Sequence, residues 1–136
     1  MRYLLISLFL AGAAPALAQN TGPGKDIRLQ TPAELRLTAT ELEQALILQP
    51  ANVDLHIKLG FTYTRLGKAD DARRSFETAA RLDPKKAIAH YMLGLIYEKK
   101  GLKDQAIASW KACLETAAEP RLRDTAIKHL NNLSSK

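Results

Sequence analysis

From residue 31 onward, apolar side chains return every three or four positions, the period of a helix with one buried face. Leu35, Ala39, Leu42, Ala45 and Leu46 draw one such stripe and predict a helix over 31–49. Thr31-Pro32-Ala33-Glu34 reads as its start, a capping box with proline at the first helical position. Leu55, Leu59, Tyr63 and Leu66 draw a second stripe. A last one, Leu122, Ala126, Ile127, Leu130 and Leu133, occupies 121–136, with Arg121, Arg123, Asp124, Lys128, Asn131 and Asn132 largely on the other side. A helix with one apolar and one polar face is what the end of a stack of helices needs. Residues 19–30, QNTGPGKDIRLQ, are polar around Gly22-Pro23-Gly24 and predict a flexible leader.

Between the flanking helices the pattern is written twice. Residues 53–86 align with 87–120 without a gap, and His56/His90, Leu59/Leu93, Gly60/Gly94, Tyr63/Tyr97, Gly67/Gly101, Asp70/Asp104, Ala72/Ala106 and Ser75/Ser109 are identical. Residue usage alone would give roughly two or three matches. The period that carries position 53 onto position 87 is that of stacked helix–turn–helix units, each too small to hide its apolar face alone. The segment ELEQALILQP at 41–50 echoes SFETAARLDP at 75–84, so the helix over 31–49 reads as the second half of a unit whose first helix is missing.

The residue types carry the geometry. Glycine inside a helix costs about 1 kcal/mol relative to alanine. Gly60 and Gly94 both incur it, which predicts a close helix approach, with Ala72 and Ala106 as the natural facing residues. Gly67 and Gly101 suit the left-handed conformation that ends a helix. Asp70 and Asp104, three positions on, are expected as N-caps, and Phe76 and Trp110 as bulky rings where the following unit packs. Pro84 closes the first unit.

Leu59-Gly60, Tyr63, Gly67, Ala72, Phe76 and Pro84, with Leu93-Gly94, Tyr97, Gly101, Ala106 and Trp110 in the second copy, resemble the tetratricopeptide repeat pattern. His56 and His90 stand where that family often carries Trp, and Cys113 and Ala118 replace its later Ala and Pro in the second unit. The resemblance implies an all-α, right-handed solenoid: two full repeats at 53–86 and 87–120, a half-repeat helix before them and a capping helix after them.

The first eighteen residues change the picture of where this fold works. Arg2 precedes an apolar run over 3–14, then Pro15 and the small-x-small Ala16-Leu17-Ala18. That order is a secretory signal peptide cut after Ala18, and the run is shorter than the roughly 20 residues of a membrane span. A periplasmic or secreted protein is expected, and no cysteine follows the run to carry a lipid anchor. The formal charge of +6 becomes +5 once Arg2 is removed. In an exported protein a basic surface favours anionic envelope components over nucleic acid. Cys113 is the single cysteine, which leaves no intrachain disulfide and reads as a small buried side chain.

Candidate chemistry is sparse. His56 and His90 occupy equivalent places in adjacent repeats, about 8–10 Å apart by helix packing, too far to share a zinc ion bound at about 2 Å. Asp70-Asp71 suits the start of a helix, where negative charge is favoured. Gly22-Pro23-Gly24 lacks the spacing and lysine of a phosphate loop. No catalytic residue, metal or cofactor is expected, so the chain reads as a non-enzyme.

In tetratricopeptide-like proteins the first helix of each pair lines a concave surface that receives partners. On a helical wheel Ile57, Phe61 and Arg65 share such a face, as do Tyr91, Leu95 and Lys99 in the second unit. Ile57, Phe61, Tyr91 and Leu95 are expected to form an apolar strip that packing within the repeat does not use. Family members that grip a C-terminal carboxylate use Lys and Asn here, where this chain has Ile57, Phe61 and Met92. The resulting expectation is an adaptor or scaffold for an apolar or amphipathic protein segment. Binding of anionic lipid or glycan through basic faces is the alternative, separable by its salt dependence. Self-association that covers the terminal apolar surface is a third reading, separable by light scattering at several concentrations.

Overall fold

A computed structural model describes residues 26–135; the expected signal segment and the first residues of the leader lie outside the described residues. Among the described residues there are six α-helices and no strand. They are α1 (Pro32–Leu48), α2 (Val53–Arg65), α3 (Ala69–Leu82), α4 (Ala87–Lys99), α5 (Lys103–Thr116) and α6 (Pro120–Ser134). Each packs on its successor, most extensively within the pairs α2/α3 and α4/α5, and α6 also reaches back to α4. The chain is an all-α solenoid.

The helix ends follow local chemistry. At α1 the Glu34 amide donates to Thr31 Oγ1 at 3.3 Å and the Thr31 amide donates to Glu34 Oε2 at 2.6 Å, a reciprocal cap. Asn52 caps α2 by accepting from the Leu55 amide at 3.1 Å. Gly67 and Gly101 end α2 and α4 with φ of 73° and 71°, where a side chain would be strained. Asp70 and Asp104 are not the caps expected of them. Lys68 and Leu102 hold the cap positions of α3 and α5 without a side-chain bond, so both aspartates lie inside the first helical turn. Asp70 instead pairs with Lys100 of the next repeat at 2.7 Å. Residues 26–30, expected within the flexible leader, hold a short 3-10 turn, η1 (Ile27–Leu29), capped by Asp26.

The glycines sit in close contacts, but their partners are rings. A β-carbon at Gly60 would lie 2.7 Å from the Phe76 ring, and one at Gly94 would lie 2.6 Å from the Trp110 indole. Ala72 and Ala106 are buried as well, but the three nearest atoms at each glycine belong to the ring. Phe76 and Trp110, both with no exposure, pack against the glycine of their own repeat, and Trp110 also meets the following helix, where His129 of α6 stacks on it. Together with Ala79, Ala89, Leu93, Ala106, Cys113 and Ala126 they make one continuous core. Burial pushes the Cys113 thiol up, away from its nucleophilic form.

The repeat also fixes the bonds between units. Tyr63 donates its phenol proton to Glu43, and Tyr97 donates to Glu77 at 2.5 Å. The two bonds have the same sequence separation, and Glu43 lies one full period before Glu77, so α1 occupies the second-helix position of a preceding unit. Burial first, then the hydrogen-bonded carboxylate, pushes both phenols up to about 12. A raised pKa means that folding favours the protonated phenol. Its stabilisation is complete below the ordinary value of 10.0 and is lost as the pH rises through about 12. Tyr97→Phe should flatten the fall in melting temperature between those limits. Melts at alkaline pH that keep the parental slope would remove this role from Tyr97.

Candidate functional site

The first helices of the two repeats, α2 and α4, carry the residues singled out on the wheel. Ile57 is buried at 8% exposure and belongs to the core. Phe61, Tyr91 and Leu95 are half-buried and lean on that core, while Arg65 and Lys99 are exposed. Packing within the repeats thus uses the strip, contrary to expectation. Phe61 meets Phe76 edge to face at 5.3 Å between centroids, and Tyr91 meets Trp110 in the same way at 5.5 Å. A ring the size of Phe or Trp under a glycine leaves an edge that another ring covers. What remains available is the outer half of Phe61, Tyr91 and Leu95, with Arg65 and Lys99 one turn further on.

Two cavities open along this surface. One, of about 480 Å³, lies between η1, α1 and α2, with Ile27, Leu42 and Phe61 as its apolar walls and Thr38, Glu41 and Lys58 among its polar ones. The other, of about 250 Å³, lies between α4 and α6 and is lined by Tyr91, Leu122, Glu119, Arg121 and Thr125. Phe61 and Tyr91 stand at the two ends of the row. The Arg65 guanidinium donates to the Arg28 carbonyl at 3.4 Å, which ties η1 to the end of α2.

The other polar residues have structural partners. His56 Nε2 lies 2.8 Å from the Pro50 carbonyl and His90 Nε2 lies 2.7 Å from the Pro84 carbonyl. A carbonyl can only accept, so each ring donates from Nε2 and pins the turn before its helix. Glu98 accepts from Trp110 Nε1 at 3.2 Å and meets His129 Nδ1 at 2.5 Å, while His129 stacks on the indole at 4.3 Å. That cluster joins α6 to the second repeat. No sequence signal announces it, because His129 sits in the terminal helix without an aromatic neighbour in the chain.

Many basic side chains are engaged as well. Arg73 pairs with Glu77 at 2.7 Å, Arg74 pairs with Asp71, and Lys86 pairs with Asp54 at 2.8 Å. Through these contacts Lys86 and Lys100 hold the carboxyls of Asp54 and Asp70 below their usual range. Among the described residues no group of three His, Cys, Asp or Glu side chains could hold a metal ion.

The tetratricopeptide repeat family model matches residues 57–120. No curated protein matches the sequence. Among solved structures, the chain is similar to PcrH in complex with the chaperone binding region of PopD. The TM-score is 0.68 at 17% identity, over 76% of this chain and 80% of that one. It is similar to the Yersinia enterocolitica type III secretion translocator chaperone SycD, with a TM-score of 0.64 at 16% identity over 76% and 72% of the two chains. It is also similar to MamA MSR-1 C2, with a TM-score of 0.57 at 22% identity over 75% and 67%. At these identities the likeness is one of fold. With the glycine–ring contacts, the left-handed glycines and the tyrosine–glutamate bonds recurring at one period, residues 57–120 are tetratricopeptide repeats in pattern and in fold.

Proposed function

We propose that this protein is a non-enzymatic adaptor of the bacterial cell envelope, which holds an apolar or amphipathic segment of a partner protein against α2 and α4. The observation that carries the reading is the row of half-buried Phe61, Tyr91 and Leu95, flanked by a cavity at either end. Side chains already steadied by the core lose little freedom when a partner covers them, so they offer apolar area at small entropic cost. PcrH, solved with a segment of PopD, shares this fold, which supports a segment as the class of partner. The N-terminal run ending in Ala16-Leu17-Ala18 supports export. The pairing of Arg73, Arg74, Lys86 and Lys100 with carboxylates leaves less free positive charge for anionic lipid or glycan.

Leu95→Asp should abolish capture of the partner by in-cell crosslinking while leaving the helical circular dichroism intact. Phe61→Asp should do the same with some loss of stability, because Phe61 also supports the Phe76 ring. Capture should persist from low to physiological ionic strength, where an electrostatic binder weakens steeply. Undiminished capture by Leu95→Asp, or its loss on adding salt, would count against the groove.

A further inference from the structure

The cavity between η1, α1 and α2 has an explanation in the repeat itself. Position 76 of the first unit and position 110 of the second hold Phe and Trp; one period before Phe76 the chain has Leu42. In both full repeats the ring at that position is fully buried between the two helices of its unit. In the half-unit η1 is the described part of the first-helix position, and Leu42 is smaller than either ring. Beside Leu42, between η1, α1 and α2, lies the cavity of about 480 Å³.

The rest of its lining keeps the same register. Ile27 lies one period before Phe61 and two before Leu95, so it continues their row. Gln30 lies two periods before Glu98, whose carboxylate accepts the Trp110 indole proton, and Gln30 also lines the cavity. Its Oε1 already accepts from Thr38 Oγ1 at 3.0 Å, which holds the amide at the cavity wall. Glu41 lines the cavity too, and among the described residues it forms no ion pair.

We infer that this cavity is a socket for one aromatic side chain of the partner segment, a ring seated on Leu42 between Ile27 and Phe61 with a neighbouring Lys or Arg brought to Glu41. The partner thereby supplies the ring that each full repeat supplies for itself. The inference deepens the segment-binding reading and rests on it for the source of the ring. It also extends the contact surface one unit beyond the two complete repeats, to a turn that precedes them.

Indole and toluene, as side-chain probes, test the socket without the partner. Titrated into the chain beginning at Gln19, either probe should shift the methyl resonances of Ile27, Leu42, Thr38 and Thr62 saturably. Leu42→Trp, which fills the space from within, should abolish those shifts and raise the melting temperature. It should also reduce partner capture several-fold. Probe shifts that are absent, or that persist in Leu42→Trp, overturn the socket. If they are absent while Leu95→Asp still abolishes capture, the socket fails alone and the adaptor reading stands. If the socket binds indole and Leu42→Trp captures its partner as well as the parent does, the site is not the partner's.

Discussion

Gly94→Leu should lower the melting temperature by roughly 10–20 °C, from an overpacking cost of about 3 kcal/mol or more. Even the first added carbon is in conflict, 2.6 Å from Trp110 Cε2 and 2.7 Å from Cδ2. These are the fused atoms of a rigid ring system, and the indole has nowhere to go. It is fully buried, stacked on His129, met edge-on by Tyr91 and hydrogen-bonded to Glu98. Replacing a helical glycine returns about 1 kcal/mol of propensity. For Gly94→Ala that gain offsets only part of the strain; for leucine, with three more carbons, it offsets still less. Gly60→Leu should cost less, because the nearest atom is the far end of a single phenyl ring, Cζ of Phe76, at 2.7 Å. Thermal melts followed by circular dichroism decide this, and a Gly94→Leu protein that melts with its parent would refute the contact.

Trp110→Ala should cost about 3–5 kcal/mol, the range for removing a large buried aromatic side chain. Its effect should also travel. Without the indole, His129 loses its stacking face and Glu98 one of its donors, so α6 should exchange its amides faster than α2 and α3 do. The two substitutions share one contact, so their costs cannot add. In the Trp110→Ala background the penalty of Gly94→Leu should largely vanish, because the clashing atoms are gone. A fully additive double mutant would mean that glycine and indole do not depend on each other.

Much of this architecture is readable in the chain because the repeat prints it twice. Gly67 and Gly101 are read correctly as left-handed helix ends, since their φ depends on local backbone alone. The interior glycines are read correctly as a close approach, yet their partners are not. Spacing along α3 and α5 puts Ala72 and Phe76 on the same face, and only the three-dimensional packing shows that the ring is the group beneath the glycine. Asp70 and Asp104 mislead because a helix can begin with Lys68 or Leu102 unassisted, which frees Asp70 for an ion pair with the next unit. The apolar strip is half readable. A wheel shows that Phe61 and Tyr91 share a face with Arg65 and Lys99, but it cannot show that their rings tilt back onto Phe76 and Trp110. The role of the two histidines is half readable: Pro50/Pro84 and His56/His90 recur at one period, but the spacing does not show that the turn brings each carbonyl onto the ring.

The tyrosine–glutamate bonds also say where their own series breaks off. The next places in register, 111 and 131, hold Lys and Asn, so the link is not repeated between α5 and α6, and a unit joined after Pro120 would bring a phenol to Lys111 in place of a carboxylate. A whole copy of the unit spliced in after Lys86 would preserve every such link on both sides. Duplication within the middle of the array therefore keeps these links, and duplication after the second repeat does not.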